Sequence, residues 1–532
     1  MSRLHPRQYA SQPDQLRSRH VPAPVAGMNL VDPASALGPL DAISMVNLVK
    51  GERGLLPRPG WREYATHVGS TDGEVRSLLA HHGSITTNSK LFACAPNGIY
   101  TVSPGGAAPT LKFTFPVNNQ DSGRGVSCGA VTGAGSFLLY ADEANGYHLY
   151  TESTDTWAAG SVTGVAPADL VFVTVFKGRT WFVERNSMRA WYLAAGPTIS
   201  GAATQFDLQS VFRHGGSLVG IWSWSLDSGV GRDDYLVFIS STGELAIYLG
   251  TDPATDFRLS GLWDLQGVPA GRRLAFSYGS DLLLLTTQGV LPMSVLTREG
   301  ALQDQLYATR QVQPLFVQTM SEQSNRIGWE MNMCPKAGFM FVNTPGLPGA
   351  LQEQYAMSYS SKGWSRLQGL DILSTVVWDN DLYFGTRDGR VCQTNGYVDN
   401  VKLGGDTTNA RSVNCFTIGG FTNLGSMNYK TLVSITPRFI TRGVTPAQET
   451  LARFDFDIAD AGAATGAASG TGSLWGSAVW GTALWGGGYV PAAVVQSATG
   501  RGVHMAIGVA FQAQDYALLV GCDVTWQEEG LY

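Results

Sequence analysis

The sequence predicts an all-β protein: a degenerate six- or seven-bladed β-propeller beside a β-sandwich or platform built from the N- and C-terminal segments. Three observations predict it. The 532 residues include 64 glycines, 10% aromatics and only 15% charged residues, a composition of many turns and well-buried strands. Short apolar runs paired across a turn recur along residues 76–400. After about residue 400 the pattern changes to long alternating strands.

Residues 1–24 carry four arginines, Arg3, Arg7, Arg17 and Arg19, and no apolar core, so they read as an extended arm and not as a signal peptide. Residues 25–75 hold short strands and turns and are assigned to the N-terminal part of the platform. Residues 76–400 contain seven hairpin-like units, beginning at Leu91, Phe137, Thr180, Tyr235, Leu282, Gly338 and Leu382. Their starts lie roughly 45 to 55 residues apart, the period of four-stranded blades. Asn97-Gly98, Asn145-Gly146, Asp388-Gly389 and Gly243 supply the positive-φ turn positions. Trp157, Trp263 and Trp364 follow hairpins and read as wedges between blades. Residues 401–532 read as the C-terminal platform, with strands over 429–443, 449–460, 501–513 and 516–529. The alternation of Ala452, Phe454, Phe456 and Ile458 marks a half-buried antiparallel sheet.

Between two of these strands lies a Gly/Ala/Trp-rich segment, 461–490, read as a long hairpin tip. It contains WGSAVWGTALWGGG, in which Trp475, Trp480 and Trp485 recur at a spacing of five, each followed by glycine. That spacing keeps the rings on one face of neither a strand nor a helix. A local mini-core and a contact with another chain both remain open for this ladder.

A net charge of -6 provides no bulk basic footprint for tight DNA binding. The six cysteines are scattered without a CxxC pair and read as free buried thiols of a protein made in the cytosol. No run of 18 apolar residues predicts a membrane span. No Walker A, G-x-S-x-G, H-E-x-x-H or strand-linked G-x-G-x-x-G motif occurs. His81-His82 is the only close histidine pair; on a strand its members face opposite ways, so both read as polar residues at the surface and not as a metal site. No catalytic residue, cofactor or metal is expected.

The most specific stretch is residues 21–68. It combines Gly27 and Asn29, Asp32-Pro33, Leu40-Asp41-Ala42, Asn47 and the RPGW of Arg58 to Trp61. This block resembles the start of tail-hub or nozzle proteins of short-tailed bacteriophages, of the packaged-DNA-stabilisation or tail-accessory type. Arg501 to Gly508 resembles a C-terminal segment of the same family. The resemblance implies a non-enzymatic virion protein, made in the host bacterial cytoplasm and built into the tail. It implies a homo-oligomer, a hexameric ring below the portal-side adaptor, through which double-stranded DNA passes. It further implies attachment of tail fibres or spikes and of a distal plug or needle. A mainly uncharged subunit contact and a conduit that grips few phosphates suit that role. The expected assembly-interface residues are Asn29, Asp41, Asn47, Arg58, Trp61, Trp475, Trp480 and Trp485. The N-terminal arginines are candidates to latch an acidic neighbouring ring protein. Two other classes stay in view: a lectin-like propeller that stacks sugars on tryptophan, and a propeller glycosidase.

Overall fold

The computed structural model describes residues 16–69, 73–196, 198–227, 232–299, 306–457 and 489–529. The chain divides into two compact units. The larger takes in Pro59–Tyr359 and Leu367–Ala410; the smaller draws on the segments before and after it, with Ser360–Arg366.

The larger unit is a six-bladed β-propeller arrangement. Among the described residues, six antiparallel sheets lie wholly within it, and five of them are four-stranded. Their inner strands are Ser77–His81, Gly125–Thr132, Leu170–Phe176, Leu218–Asp227, Ala275–Tyr278 and Ser374–Trp378. A meander of Glu330–Cys334, Phe339–Asn343 and Glu353–Ser358 fills the space between the last two, so the inner strands run around a ring. Of the expected positive-φ turns, Gly146, Gly243 and Gly389 have it, whereas the Asn97-Gly98 turn forms without it. Asn97-Gly98 joins Lys90–Ala95 to Gly98–Thr101, and Gly146 opens Gly146–Thr151 with a φ of 75°.

Apolar clusters among the described residues draw on two consecutive sheets, as stacked blades require. Phe137, Leu139 and Tyr147 of one sheet meet Phe182 and Trp191 of the next. Phe172 and Trp181 meet Leu236, Phe238 and Tyr248 one blade further. Trp157 packs at 5.3 Å from Phe92, so this tryptophan is an inter-blade wedge. Buried aromatics of this size dominate the core energetics.

The ring is closed by a strand from its own beginning. Trp61–Ala65 pairs antiparallel with Val391–Thr394 and becomes the outer strand of the final blade. This corrects the boundary at residue 75: the platform segment ends at Arg58, because Trp61–Ala65 finds its hydrogen-bonding partner in the propeller. Gly60 makes the approach possible, since a Cβ there would lie 2.0 Å from the Val398 carbonyl oxygen. Glu63 then clamps the junction. Its carboxylate accepts from Lys402 Nζ at 2.7 Å and from Leu403 N at 3.3 Å, and it lies 3.4 Å from Arg390 Nη1.

The smaller unit is a β-sandwich. One sheet runs Val490–Ala493, Lys430–Thr441, Ala517–Glu528, Leu55–Pro57 and Leu48–Lys50. The other runs Gly27–Met28, Asp41–Val46, Arg411–Gly419, Met505–Ala513 and Ala447–Phe454. The Phe439 and Phe511 rings meet between the sheets at 5.0 Å. Trp364 belongs here and not to a blade. Gly27, at a φ of 88°, lies against its backbone, where a Cβ would come within 2.5 Å of Trp364 N.

Two expectations are modified. The N-terminal arm is extended over Leu16–Pro22, but as a strand on Ala517–Glu528. Arg17 there pairs with Glu528, and His20 with Asp523 at 2.8 Å, so both are engaged within their own chain. The strand predicted over 449–460 stops at Phe454, because Asp455 and Phe456 turn into left-handed backbone at φ 46° and 71°. Ile458 and most of the 461–490 segment, including Trp475, Trp480 and Trp485, lie outside the described residues.

Candidate functional site

The N-terminal residues expected at an interface are engaged inside the chain. Asn29 Nδ2 donates to Asp32 at 2.9 Å and to Asp41 at 3.1 Å, and Asp41 also accepts from Gly38 N at 3.0 Å. The three side chains therefore staple a local loop. Asn47 sits at a φ of 57°, and its Nδ2 donates to the Asn414 carbonyl at 2.8 Å. Its Oδ1 accepts from Arg58 Nε at 3.1 Å. Arg58 is 1% exposed, so a subunit contact through its guanidinium is replaced by a buried internal one. Trp61 is buried in the closing blade, with the Arg390 guanidinium 5.1 Å from its ring and Phe384 packed edge-on at 6.1 Å. What looked like interface chemistry is the scaffold that folds the two ends of the chain.

The expectation for His81 is likewise corrected. Its ring is buried and lies 2.9 Å from Glu152, while His82 faces solvent. Bonds from Ser84 and Asn88, with His81, hold the Glu152 carboxyl down at about 2. All six cysteines are free thiols, five of them buried.

Two surfaces stand out instead. The first is an open side of the sandwich. Val490–Ala493 and Ala447–Phe454 are the edge strands of their sheets, without a second partner strand among the described residues. Gln496 laces the two edges, accepting from Thr450 N at 2.7 Å and donating to the Gln448 carbonyl at 2.8 Å. Tyr489, Val490, Val494 and Val495 line this side; Tyr489 is 60% and Val495 70% exposed. Arg442 lies over both the Tyr489 and Tyr516 rings, at 5.6 and 5.3 Å. Exposed apolar side chains on unpaired edges mark a surface suited to another chain.

The second is a cavity of about 520 Å³ in the propeller, where the leading ends of several inner strands converge. Arg76 and Arg124 open the first two inner strands, and Arg272 and Arg273 precede the fifth. Arg272 bonds Glu143 and donates to the Val219 carbonyl at 2.8 Å. Arg273 donates to the Gly125 carbonyl at 2.9 Å and lies 3.2 Å from Glu330. Arg76 bonds Glu74 at 2.7 Å. Nothing in the sequence reading singled out these arginines. Their signal is positional: each stands just before an inner strand, twice beside glycine, in Gly123-Arg124-Gly125 and Gly271-Arg272-Arg273.

No family model matches this chain, and neither does any curated protein. Solved structures match at low identity. The extracellular domain of a hybrid two-component system from B. thetaiotaomicron is 12% identical, with 62% of this chain and 39% of that chain covered and a TM-score of 0.41. Raptor from Chaetomium thermophilum is 11% identical over 63% of this chain and 29% of its own, with a TM-score of 0.36. Sqt1 of Saccharomyces cerevisiae is 11% identical over 63% of this chain and 98% of its own, with a TM-score of 0.33. At this identity the likeness concerns fold alone. No helix among the described residues is long and apolar enough to cross a membrane.

Proposed function

We propose that this chain is a non-enzymatic structural subunit of a short-tailed phage tail, a hub or nozzle that assembles with copies of itself into a hexameric ring. The observation that carries the reading is the open side of the sandwich, where edge strands without a second partner among the described residues coincide with exposed Tyr489, Val490, Val494 and Val495. A second copy of this chain is the occupant that the reading assigns to that side. Apolar contact with few charges is what a permanent ring interface uses. The N-terminal block that resembles the tail-hub family supports the reading from another direction: Asn47 and Arg58 are sunk in the sandwich that presents this edge. In this reading the ring would let double-stranded DNA pass, meet a portal-side adaptor on one side, and carry fibres or a distal plug on the other.

Native mass spectrometry of the purified chain, alone and with tail components, tests this. A ring that Val495→Glu reduces to monomers, with unchanged far-UV circular dichroism, is the expected result. A chain that stays monomeric in the presence of tail components and binds glycans on an array would refute it in favour of the lectin-like reading.

A further inference from the structure

The propeller cavity has an electrostatic imbalance that the assembly reading does not use. Its wall carries four guanidinium groups, Arg76, Arg124, Arg272 and Arg273, and a single carboxylate, Glu143. Two further carboxylates stand behind the wall. Glu74 neutralises Arg76, and Glu330 neutralises Arg273, as Glu143 does Arg272. Arg124 is left over. Among the described residues it has no carboxylate within ion-pair distance, and its Nε donates only to the Gln120 carbonyl, at 3.1 Å. Arg76 Nη1 donates to that same carbonyl at 3.1 Å, which brings the two cations together. Arg273 is held close by, through the carbonyl of Gly125, the residue after Arg124.

Glu74 and Asp121 act on Arg124 from a distance, but neither forms an ion pair with it among the described residues. Burial, then repulsion from Arg76 and Arg273, holds the Arg124 guanidinium below its usual range, and the attraction of Glu74 and Asp121 offsets this only in part. The other three arginines are fixed by carboxylates and backbone carbonyls, so they cannot swing out to relieve the repulsion. Fixed guanidinium donors converging on a concave site are the arrangement that recognises planar or tetrahedral oxyanions. The remaining wall is apolar, with Val219, Ile327 and Trp329, and the volume lies in the range of small-molecule sites.

We propose that this cavity binds a small organic anion, a carboxylate- or phosphate-bearing molecule, with its acidic group on Arg124 and its apolar body against Val219, Ile327 and Trp329. The site is contained within the larger unit and is independent of the ring reading. Its loss would leave assembly untouched, and loss of assembly would leave the site intact.

The probes are citrate for the carboxylate arm and inorganic phosphate for the phosphate arm. Each is titrated into the full chain by calorimetry, at an ionic strength held constant with sodium chloride. The variants are Arg124→Gln and, as a charge-matched control on an exposed outer strand, Arg258→Gln. At least one anion is expected to bind saturably to the wild type and to Arg258→Gln. Binding to Arg124→Gln should be weaker by roughly tenfold or more, the worth of one charge-assisted hydrogen bond. Without anion, Arg124→Gln should unfold at the wild-type temperature or above it, because the unbalanced charge is gone. The proposal is overturned if neither anion binds, or if every anion that binds the wild type binds Arg124→Gln as tightly.

Discussion

His148 offers a measurement of how the propeller responds to acid. It lies in the strand Gly146–Thr151, buried among Phe113 at 4.8 Å, Phe115 at 5.5 Å and Tyr140 at 6.3 Å. Its Nδ1 is 2.9 Å from the Gly146 carbonyl, so the neutral ring donates there. Burial in this aromatic setting pushes the imidazole down from 6.5 to about 4. The unfolded chain then takes up the proton first. The contribution to stability is complete above pH 6.5, shrinks as pH falls, and is gone once pH passes below about 4. The full swing is about 3 kcal/mol, and some 2 kcal/mol of it is lost by pH 5. For a unit of this size that is a drop of about 3 °C in the unfolding midpoint. Scanning calorimetry of the wild type and His148→Phe from pH 7.5 to 4.5 checks it. The wild-type midpoint minus that of His148→Phe should fall by about 3 °C between pH 7.5 and pH 5. A constant gap across the range would refute the claim that His148 is buried neutral.

Other perturbations address the closure of the ring. Glu63→Ala leaves Lys402 without its carboxylate beside a site that is 5% exposed, while Arg390 keeps Asp388 at 2.6 Å. Breaking a buried pair costs about 3–5 kcal/mol, and because Lys402 is one-third exposed the expected loss is about 1–2 kcal/mol. Urea unfolding followed by tryptophan fluorescence measures the loss. Gly60→Val places a side chain on the Val398 backbone and should prevent the final blade from closing, read as rapid proteolysis near residues 58–70. A Gly60→Val protein as protease-resistant as the wild type would show that the closing strand is dispensable.

The hairpins were legible because their information is local. Alternating apolar residues and a turn such as Asn97-Gly98 or Asn145-Gly146 specify a hairpin wherever it lies. The blade period followed from counting such units, and the inter-blade role of Trp157 followed from its size. The long alternating strands of the sandwich were equally plain in 429–443 and 516–529. The RPGW motif was conspicuous too, but its role was misplaced. Arg58 and Trp61 look like surface chemistry in a string of letters, and only packing shows them buried on either side of a domain boundary.

What the sequence by itself determined is the all-β class, the repeat and most turns, because strand period and positive-φ turns act over a few residues. What only the tertiary structure decided is every relation across long separations. Trp61–Ala65 completes a blade begun at Ser374 because an open propeller leaves one sheet an unpaired edge, and the first strand of the propeller unit is there to fill it. Arg76, Arg124, Arg272 and Arg273 share a cavity because a ring brings the leading ends of its inner strands together. Charge that is dispersed along the sequence becomes concentrated in space, and its balance can be read only there.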